Sequence, residues 1–315
     1  MTKKLKVGVI GVGALGQHHT RVYSQLENTE LVGVFDINPA RAEEIAKAHN
    51  TKAFSNLDEL ISNIQAVSVV VPTDKHLDMF MKLVDKGIHM LMEKPIAAST
   101  AEAEQMVKLA EKKGLILQVG HIERFNPIME YLEKNITKPQ FIEVIRLASY
   151  PPPRPNAPPR GTEVSVVLDL MIHDIEIILH LVRSEVRELH AVGVSVLSPT
   201  EDIANVRLIF KNGCIANVTS SRISQERMRK IRVFQPDAYV SLDYMNQAGQ
   251  IYRKIGSQIK VEDVPIHKHE PLMAELSSFV NCALTKSEPA VTGRQASEAL
   301  KIAVEICRVI RENPS

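Results

Sequence analysis

The architecture of this chain can be read from the segment Leu5-Lys6-Val7-Gly8-Val9-Ile10-Gly11-Val12-Gly13-Ala14-Leu15-Gly16. An apolar run leads directly into a GxGxxG turn, and a helical pattern follows. The first glycine permits a tight turn, the second lets the backbone approach a phosphate, and the third lets helix and strand pack closely. Unpaired N–H groups at the helix start then favour an anion. The segment predicts a site for a dinucleotide pyrophosphate, formed by Gly11, Gly13, Ala14, Leu15 and Gly16.

A second strand-like run, residues 30–35, ends at Asp36, twenty residues after the last of these glycines. A carboxylate there can accept hydrogen bonds from both ribose hydroxyls of an adenosine, and it would repel a 2′-phosphate. Asp36 is only a turn residue in the alternative interpretation, but Asn38 and Pro39 already supply the cap and first position of the next helix. Arg41 is a candidate partner for a 2′-phosphate. The pattern favours NAD over NADP.

Composition narrows the class of protein. The chain has 315 residues, 38 Lys and Arg against 37 Asp and Glu, and a net charge of +1. Its length predicts about two domains, and its balanced charge gives no footprint for nucleic acid or an anionic membrane. The sequence has no leader-like or membrane-spanning apolar stretch, and three widely spaced cysteines predict no disulfide framework. We expect a cytoplasmic protein with a small-molecule partner, without nucleic acid or membrane insertion.

The first part of the chain alternates short apolar runs with helical patterns, as βαβ units do. Further runs lie at residues 66–71, 88–92 and 115–119, with helices predicted near 39–49, 74–86 and 100–113. Continuous hydrophobicity indicates strands covered on both faces. This predicts a doubly wound parallel sheet, a dinucleotide-binding Rossmann domain, over residues 1–120.

The pattern changes after residue 120. Helices are predicted near 126–135 and 164–182, on either side of a proline-rich loop at 150–159. Short β-rich segments follow at 189–197, 204–210, 215–221, 230–234, 238–244 and 250–254, with turns at Asn212-Gly213, Pro236-Asp237 and Ala248-Gly249. We expect an α/β substrate and oligomerisation domain with a large, mostly antiparallel open sheet over 121–293. Helices near 270–285 and 294–311 complete the chain, and we expect 294–315 to pack back on the Rossmann domain.

Polar residues that directly follow the apolar runs are candidates for a site, because ligands of open α/β sheets bind beyond the carboxyl ends of the strands. Lys94 stands out, since it leaves a buried strand and is followed by Pro95. The candidates for contact with the cofactor are Pro72, Thr73, His76, Glu93, Lys94 and His121, and those for the substrate on this side are Lys94, Arg124 and Asn126.

Asp169 and His173 lie four residues apart in an otherwise apolar helical segment. They would share one face of a buried helix, where a carboxylate needs a partner or an opening to a pocket. A satisfied core histidine is the plain alternative, but the pair together with a cofactor site and Lys94 favours catalysis. A zinc site with His121 or His180 is not expected, because no HExxH, cysteine cluster or carboxylate pair completes it.

Three motifs together, Gly11-x-Gly13-x-x-Gly16, Glu93-Lys94-Pro95 and Asp169-x-x-x-His173, resemble the Gfo/Idh/MocA oxidoreductases. The resemblance spans the chain. It implies a Rossmann domain followed by an α/β domain whose open sheet is often buried in a homodimer or homotetramer. It also implies that Lys94, Asp169 and His173 are catalytic, and that the peptide before Pro95 is cis, as it often is in the family.

Two longer strings, residues 120–127 and 169–174, are similar to nucleotide-sugar dehydrogenases of that family. This implies NAD-dependent oxidation of a sugar hydroxyl to a ketone at C3 of UDP-N-acetylglucosamine, with an aminotransferase as pathway partner on the way to lipid A. Arg124, Arg154 and Arg160 are then candidates for the diphosphate, although loop arginines such as the last two are often only surface residues.

The chemistry requires a base and a cation around one oxygen at C4 of the nicotinamide. His173 can take the proton, Asp169 can fix its tautomer, and Lys94 can stabilise the alkoxide. Whether Lys94 or His173 is the base stays open. The alternatives are an inositol or free-sugar dehydrogenase, an NAD-dependent glycosidase and a non-enzymatic NAD-binding regulator.

Overall fold

The computed structural model describes residues 4–154 and 159–313. The chain divides into two compact units, the first comprising Met1–Phe125 and Glu270–Ser297 and the second Asn126–His269 and Glu298–Ser315. Part of the predicted proline-rich loop, residues 155–158, lies outside the described residues. Each unit has its own sheet, so the two predicted sheets are confirmed.

A parallel sheet of six strands lies in the described part of the first unit, in the order β3-β2-β1-β4-β5-β6. Its strands are β1 Leu5–Ile10, β2 Thr29–Phe35, β3 Lys52–Ala53, β4 Ala66–Val69, β5 His89–Met92 and β6 Leu117–Val119. The helices between them are α1 Gly16–Gln25, α2 Pro39–Ala48, α3 Leu57–Ile61, α4 His76–Val84 and α5 Thr100–Lys112. This is the doubly wound Rossmann order, in which β1 and β4 flank the crevice that binds ligands.

The C-terminal helices divide between the units differently from the sequence expectation. Helix α8, Pro271–Thr285, belongs to the first unit. Its buried residues Leu276, Phe279 and Val280 share a core cluster with β1 and α1, because their helical spacing forms one apolar face. Most of α9, Gly293–Glu312, belongs instead to the second unit, where Ile310 packs so closely on Gly193 that a Cβ there would lie 2.9 Å from it.

An eight-stranded sheet lies in the described part of the second unit, in the order β14-β13-β12-β11-β7-β10-β9-β8. The strands are β7 Phe141–Leu147, β8 Val186–Val194, β9 Ile203–Phe210, β10 Ile215–Ser221, β11 Met228–Gln235, β12 Ala238–Asp243, β13 Ala248–Ile255 and β14 Gln258–Asp263. The central pair β7 and β10 is parallel and the other pairs are antiparallel. The predicted mostly antiparallel sheet is therefore confirmed.

The sequence analysis did not predict β7 and β14, and it misplaced one turn. In β7, the charged residues Glu143 and Arg146 interrupt the apolar alternation that indicates a strand. The predicted Ala248-Gly249 turn was wrong, since these residues begin β13 and the turn lies before them, with Gln247 at a φ of 47°.

Two helices of the second unit precede its sheet strands β7 and β8, and the second of them carries His173. α6 spans Pro127–Asn135, and a π-helical turn at Val167–Met171 leads into α7, Ile172–Val182. Both fall where helices were predicted. Almost every residue of α7 is buried, which agrees with its apolar sequence. Within residues 4–154 and 159–313, no helix has the length and apolar character needed to cross a membrane.

Candidate functional site

The glycine-rich turn is shaped to leave room beside its middle glycine. Gly11 has a φ of +85°, and a Cβ there would overlap the carbonyl oxygen of Val70. A Cβ on Gly16 would overlap the carbonyl oxygen of Gly11, whereas one on Gly13 would meet nothing within 4 Å. The outer glycines are thus required by the protein's own packing, while Gly13 faces open space. This cradle fits the pyrophosphate of a dinucleotide at the start of α1.

The carboxylate of Asp36 is held at the end of β2 by two backbone donors. The N–H of Val12 donates to Oδ2 at 2.8 Å, and the N–H of Asn38 donates to Oδ1 at 2.9 Å. The side chain of Asn38 caps α2 by accepting from the N–H of Arg41, so the predicted cap is confirmed. Asp36 is therefore pre-oriented beside the glycine-rich turn, where a ribose would lie in this fold.

Arg41 is engaged by the same turn. Its Nε donates to the carbonyl oxygen of Val12 at 3.0 Å, and its Nη2 donates to Oε1 of Gln17 at 2.8 Å. Its Nη1 lies 2.7 Å from Oε1 of Glu44. The guanidinium thus braces the turn and has a carboxylate partner, which reduces its availability to a 2′-phosphate.

The exits of β4 and β5 are joined through His76. This side chain is fully buried, with Nδ1 3.2 Å from the carbonyl oxygen of Ile96 and Nε2 3.0 Å from that of Val71. The Lys94–Pro95 peptide, which directly precedes Ile96, is cis, as the resemblance implied. His76 therefore supports the loop that carries Lys94 rather than presenting a free ring nitrogen.

A buried polar chain underlies Glu93. Its Oε1 lies 3.2 Å from Nε2 of His19, whose Nδ1 lies 3.1 Å from Oγ of Ser68, and that hydroxyl lies 2.8 Å from the Tyr23 hydroxyl. Burial alone would raise the pKa of Glu93, but the His19 hydrogen bond and the charges of His19 and Lys94 hold it below its ordinary value. Glu93 is thus an anion behind Lys94. Sequence reasoning missed this chain, whose signal is the polar i, i+4 pair His19 and Tyr23 on the buried face of α1.

His121 lies in the same part of the first unit. Burial, and then the nearby charges of Lys94 and Arg124, lower the pKa of His121 to about 3. It is therefore a neutral imidazole at physiological pH. The charges of Lys94 and Arg124 thus both act on the His121 imidazole.

Asp169 lies in the π-helical turn and His173 in the first turn of α7. Their spacing keeps the two side chains on one face, and π-turns inside α-helices are frequent at functional sites. The backbone at Gly161, with a φ of +82°, packs on the Asp169 carboxylate, since a Cβ there would overlap Oδ2 and lie 2.9 Å from Cγ.

Helix α7 is anchored by a buried ion pair next to His173. Arg146 of β7 contacts Asp174 through two parallel bonds of 2.7 Å, from Nε to Oδ2 and from Nη2 to Oδ1. Both residues are buried. A bidentate pair fixes direction as well as distance, so it defines the orientation of α7 on the sheet. Sequence reasoning missed this pair.

The remaining candidates lie in varied surroundings. Asn126 has a structural task, since its side chain caps α6 and donates to the carbonyl oxygen of Tyr244 at 3.0 Å. Arg154 and Arg160 are exposed.

His180 contacts Glu133 at 2.8 Å, and no metal-ligand cluster of three or more His, Cys, Asp or Glu lies among the described residues. Lys94 belongs to the first unit, and Asp169 and His173 to the second.

Comparison with known proteins gives matches along nearly the whole chain. Residues 5–121 match the model of the GFO_IDH_MocA oxidoreductase family, NAD-binding Rossmann fold, and residues 133–239 match the GFO/IDH/MocA C-terminal domain. The chain is 34% identical to UDP-N-acetylglucosamine 3-dehydrogenase of Acidithiobacillus ferrooxidans, over 96% of this chain and 97% of that enzyme. A solved structure of that enzyme matches with a TM-score of 0.92 over 98% of both chains, at 32% identity. Myo-inositol 2-dehydrogenase of Thermotoga maritima is 25% identical, over 99% of this chain and 98% of that enzyme.

Proposed function

Because the chain belongs to the Gfo/Idh/MocA family of NAD-binding oxidoreductases, we propose that it is a sugar dehydrogenase that oxidises C3 of UDP-N-acetylglucosamine. The observation that carries this substrate is the 34% identity to an enzyme of that name over 97% of its length. The similarity thus includes both the cofactor domain and the domain in which we expect the sugar to bind. An inositol or free-sugar dehydrogenase is the second candidate, favoured by the similarity to the Thermotoga enzyme.

We propose NAD rather than NADP as the cofactor. The Gly11 to Gly16 turn would hold the pyrophosphate, and the fixed Asp36 carboxylate would accept from the ribose hydroxyls and repel a 2′-phosphate. The bonds of Arg41 to the turn and to Glu44 support the same choice. Pro72, Thr73 and the Glu93, Lys94 and His121 cluster would line the nicotinamide end.

The proposed reaction removes a proton from a hydroxyl and a hydride from its carbon, leaving a ketone. NAD supplies the hydride acceptor when bound. His173 takes the hydroxyl proton on a ring nitrogen, and Asp169 holds the tautomer that can accept it. Lys94 stabilises the negative charge that develops on the oxygen. The anionic Glu93 lies next to Lys94 as a charge partner for an ammonium, which supports Lys94 as the cation and His173 as the base.

The nucleotide part of the substrate requires cations for its diphosphate. Arg124 is the strongest candidate, since its charge, like that of Lys94, acts on His121. Arg154 and Arg160 are exposed residues that precede the π-turn in the sequence. If charge reversal at Arg124 leaves the KM for the nucleotide sugar unchanged, this assignment is wrong.

The proposal extends to assembly and pathway. We propose a homodimer or homotetramer in the cytoplasm. Exposed apolar residues on the two edge strands of the eight-stranded sheet, Val192 and Val194 of β8 and Ile259 and Val261 of β14, support the assembly, because exposed apolar patches often mark interfaces. The 3-keto product fits consumption by an aminotransferase in 3-amino sugar and lipid A synthesis.

The test is turnover of UDP-N-acetylglucosamine with NAD, coupled to an aminotransferase and glutamate so that the ketone is consumed. We expect nicotinamide reduction, a product mass that shows an amine in place of one hydroxyl, and an NMR spectrum that places this amine at C3. N-acetylglucosamine and myo-inositol are the comparison substrates. Turnover of myo-inositol without turnover of the nucleotide sugar would establish the second candidate instead.

A further inference from the structure

Arg222 is a buried cation outside the proposed site. It follows β10 directly, is 2% exposed, and bonds through each of its side-chain nitrogens within the second unit. Nε donates to Oδ1 of Asp202 at 2.7 Å. Nη1 donates to the carbonyl oxygens of Gly161 and Val164, both at 2.7 Å, and Nη2 donates to the hydroxyls of Ser198 and Thr200, both at 2.8 Å.

The Asp202 carboxylate offsets the cost of burying the Arg222 guanidinium. It is fully buried, and its Oδ2 accepts from the N–H groups of Val196, Leu197 and Ser198 at 2.9, 2.6 and 3.0 Å. Burial alone would raise the pKa of Asp202, but the hydrogen bonds of Ser198, Arg222 and the backbone hold it well below its ordinary value. The pair is therefore ionic, and its hydrogen-bonding capacity is well used.

The carbonyls that Arg222 holds belong to one segment, residues 161–164. Thr200 ties the same segment, because its hydroxyl donates to the carbonyl oxygen of Val164 at 2.8 Å. The N–H of Val166 donates to the carbonyl oxygen of Glu201 at 2.9 Å. The backbone is thus fixed at three points just before the π-turn begins.

This segment is the surface against which Asp169 rests. Gly161, whose carbonyl is held by Arg222, packs its Cα on the Asp169 carboxylate. The N–H of Asp169 donates to the carbonyl oxygen of Ser165 at 3.1 Å. A movement of residues 161–164 would therefore change the direction of the Asp169 carboxylate that packs on them.

The residue types suit positioning better than stability. A buried ion pair can often be replaced by apolar residues of similar volume without loss of stability. A guanidinium, in contrast, offers five donors in a fixed plane, which the ammonium of lysine cannot reproduce. Here the plane joins one carboxylate, two carbonyls and two hydroxyls, so it sets the mutual arrangement of three chain segments.

We propose that Arg222, held by Asp202, is a positioning residue that fixes the Asp169 carboxylate beside His173 through the Gly161–Val164 segment. It acts through this segment, since each of its side-chain nitrogens bonds to the protein itself. The inference rests on the proposed function in taking Asp169 and His173 as the catalytic pair, and it applies to any alcohol that this pair oxidises.

The main test is Arg222→Lys, which keeps the charge and loses the planar set of donors. We expect kcat for the nucleotide sugar to fall by about 10- to 100-fold, with KM and NADH affinity changed less than about threefold, because orientation in the transition state is lost rather than binding. Arg232→Lys is the matched control, since Arg232 lies on the same sheet and bonds the half-exposed Glu143 at 2.9 Å; it should keep the wild-type rate.

The Asp169→Asn background separates positioning from general damage. If Arg222 acts through the carboxylate, Arg222→Lys should cost less than about threefold when Asp169 is already asparagine, because coupled residues are not additive. If Arg222→Lys lowers kcat in the Asp169→Asn protein by the same factor as in the wild type, the proposal is wrong. Gly161→Ala, whose Cβ would displace the Asp169 carboxylate, should reproduce the kcat loss with Arg222 intact.

A second readout needs no substrate. We expect ring ¹⁵N NMR signals of His173, assigned with His173→Gln, to report one dominant tautomer in the wild type and Arg232→Lys, and a mixture in Arg222→Lys and Gly161→Ala. Unchanged His173 signals in a folded Arg222→Lys protein would overturn the proposal. If that variant does not fold, Thr200→Val, which removes only one hydroxyl of the network, carries the same comparison. An inactive wild type would refute the proposed function and leave this comparison intact.

Discussion

At the scale of single residues, the proposed mechanism gives Lys94 and His173 complementary tasks. Replacing either by alanine removes the cation or the proton acceptor, and each is worth about 10²- to 10⁴-fold in rate. We expect Lys94→Ala and His173→Ala to lose turnover by that factor and to keep NADH affinity, measured by fluorescence titration. Retained turnover in either variant would remove that residue from the mechanism.

The glycines of the first turn should separate folding from binding. Gly13→Ala adds a Cβ into open space, so the thermal stability of the free protein should change by less than about 0.5 kcal/mol. The stabilisation that NAD gives to the wild type should vanish, because the methyl group would occupy the place that we propose for the phosphate. Gly11→Ala is the contrast. It forces alanine to a φ of +85° against the Val70 carbonyl and should destabilise the free protein itself by more than about 1 kcal/mol.

Asp36 should determine which dinucleotide is used. Asp36→Ser removes the charge and the carboxylate that we propose as acceptor for the ribose hydroxyls, and hydrogen bonds to a charged group are worth about 1.5–3 kcal/mol. We expect the ratio of kcat/KM with NAD to that with NADP to fall at least about tenfold. Asp58→Ser, at an exposed position in α3, is the control. An unchanged ratio in Asp36→Ser would show that the selectivity resides elsewhere.

At the scale of elements, α8 introduces a buried acid beneath the first sheet. Glu275 is 1% exposed, and neither carboxyl oxygen has a hydrogen-bond partner among the described residues. Its backbone carbonyl accepts from Nε2 of Gln118 on β6 at 3.2 Å. Burial, and then the charge of Glu93, raise the pKa of Glu275 well above its ordinary value. The folded protein therefore keeps a proton that the unfolded chain releases above about pH 4.3.

The consequence is a stability that falls as pH rises. From the unfolded pKa up to the folded one, the native state binds the extra proton, so each pH unit in that window costs about 1.4 kcal/mol. Glu275→Gln keeps the shape without the titration. We expect its advantage over the wild type in free energy of unfolding to grow from pH 4 to pH 8. For Glu288→Gln, at an exposed site, the free energy of unfolding should change with pH as it does in the wild type. The same pH dependence in Glu275→Gln would contradict a raised pKa for Glu275.

Local patterns could be predicted from the sequence, and long-range partners could not. The glycine turn, the Asn38 cap, the cis peptide before Pro95 and the helix of Asp169 follow from short segments or from the family resemblance, and all are present. Arg222 and Asp202 lie far along the chain from Gly161, and each alone reads as a surface charge. Strand β7 was missed because its buried Arg146 looks polar until Asp174 is placed opposite it.

At the scale of the whole molecule, the first unit is discontinuous in sequence. Its core includes Leu276, Phe279 and Val280 of α8, so a fragment ending at residue 125 would expose the apolar surfaces they cover. We expect the fragment 1–125 to bind a hydrophobic dye and to lack a cooperative thermal transition. The full chain is the control. A cooperative transition in the fragment would show that α8 is dispensable.

This discontinuity also governs the order of events during synthesis. The glycine-rich turn leaves the ribosome early, but the helix that completes its unit is made only after the whole second sheet. At about 5–20 residues per second, the 144 residues from Asn126 to His269 take about 7 to 30 seconds, during which the nascent first sheet has an uncovered apolar side. The emerging chain therefore exposes a surface of the kind that chaperones shield, until residues 271–285 have been made and can cover it.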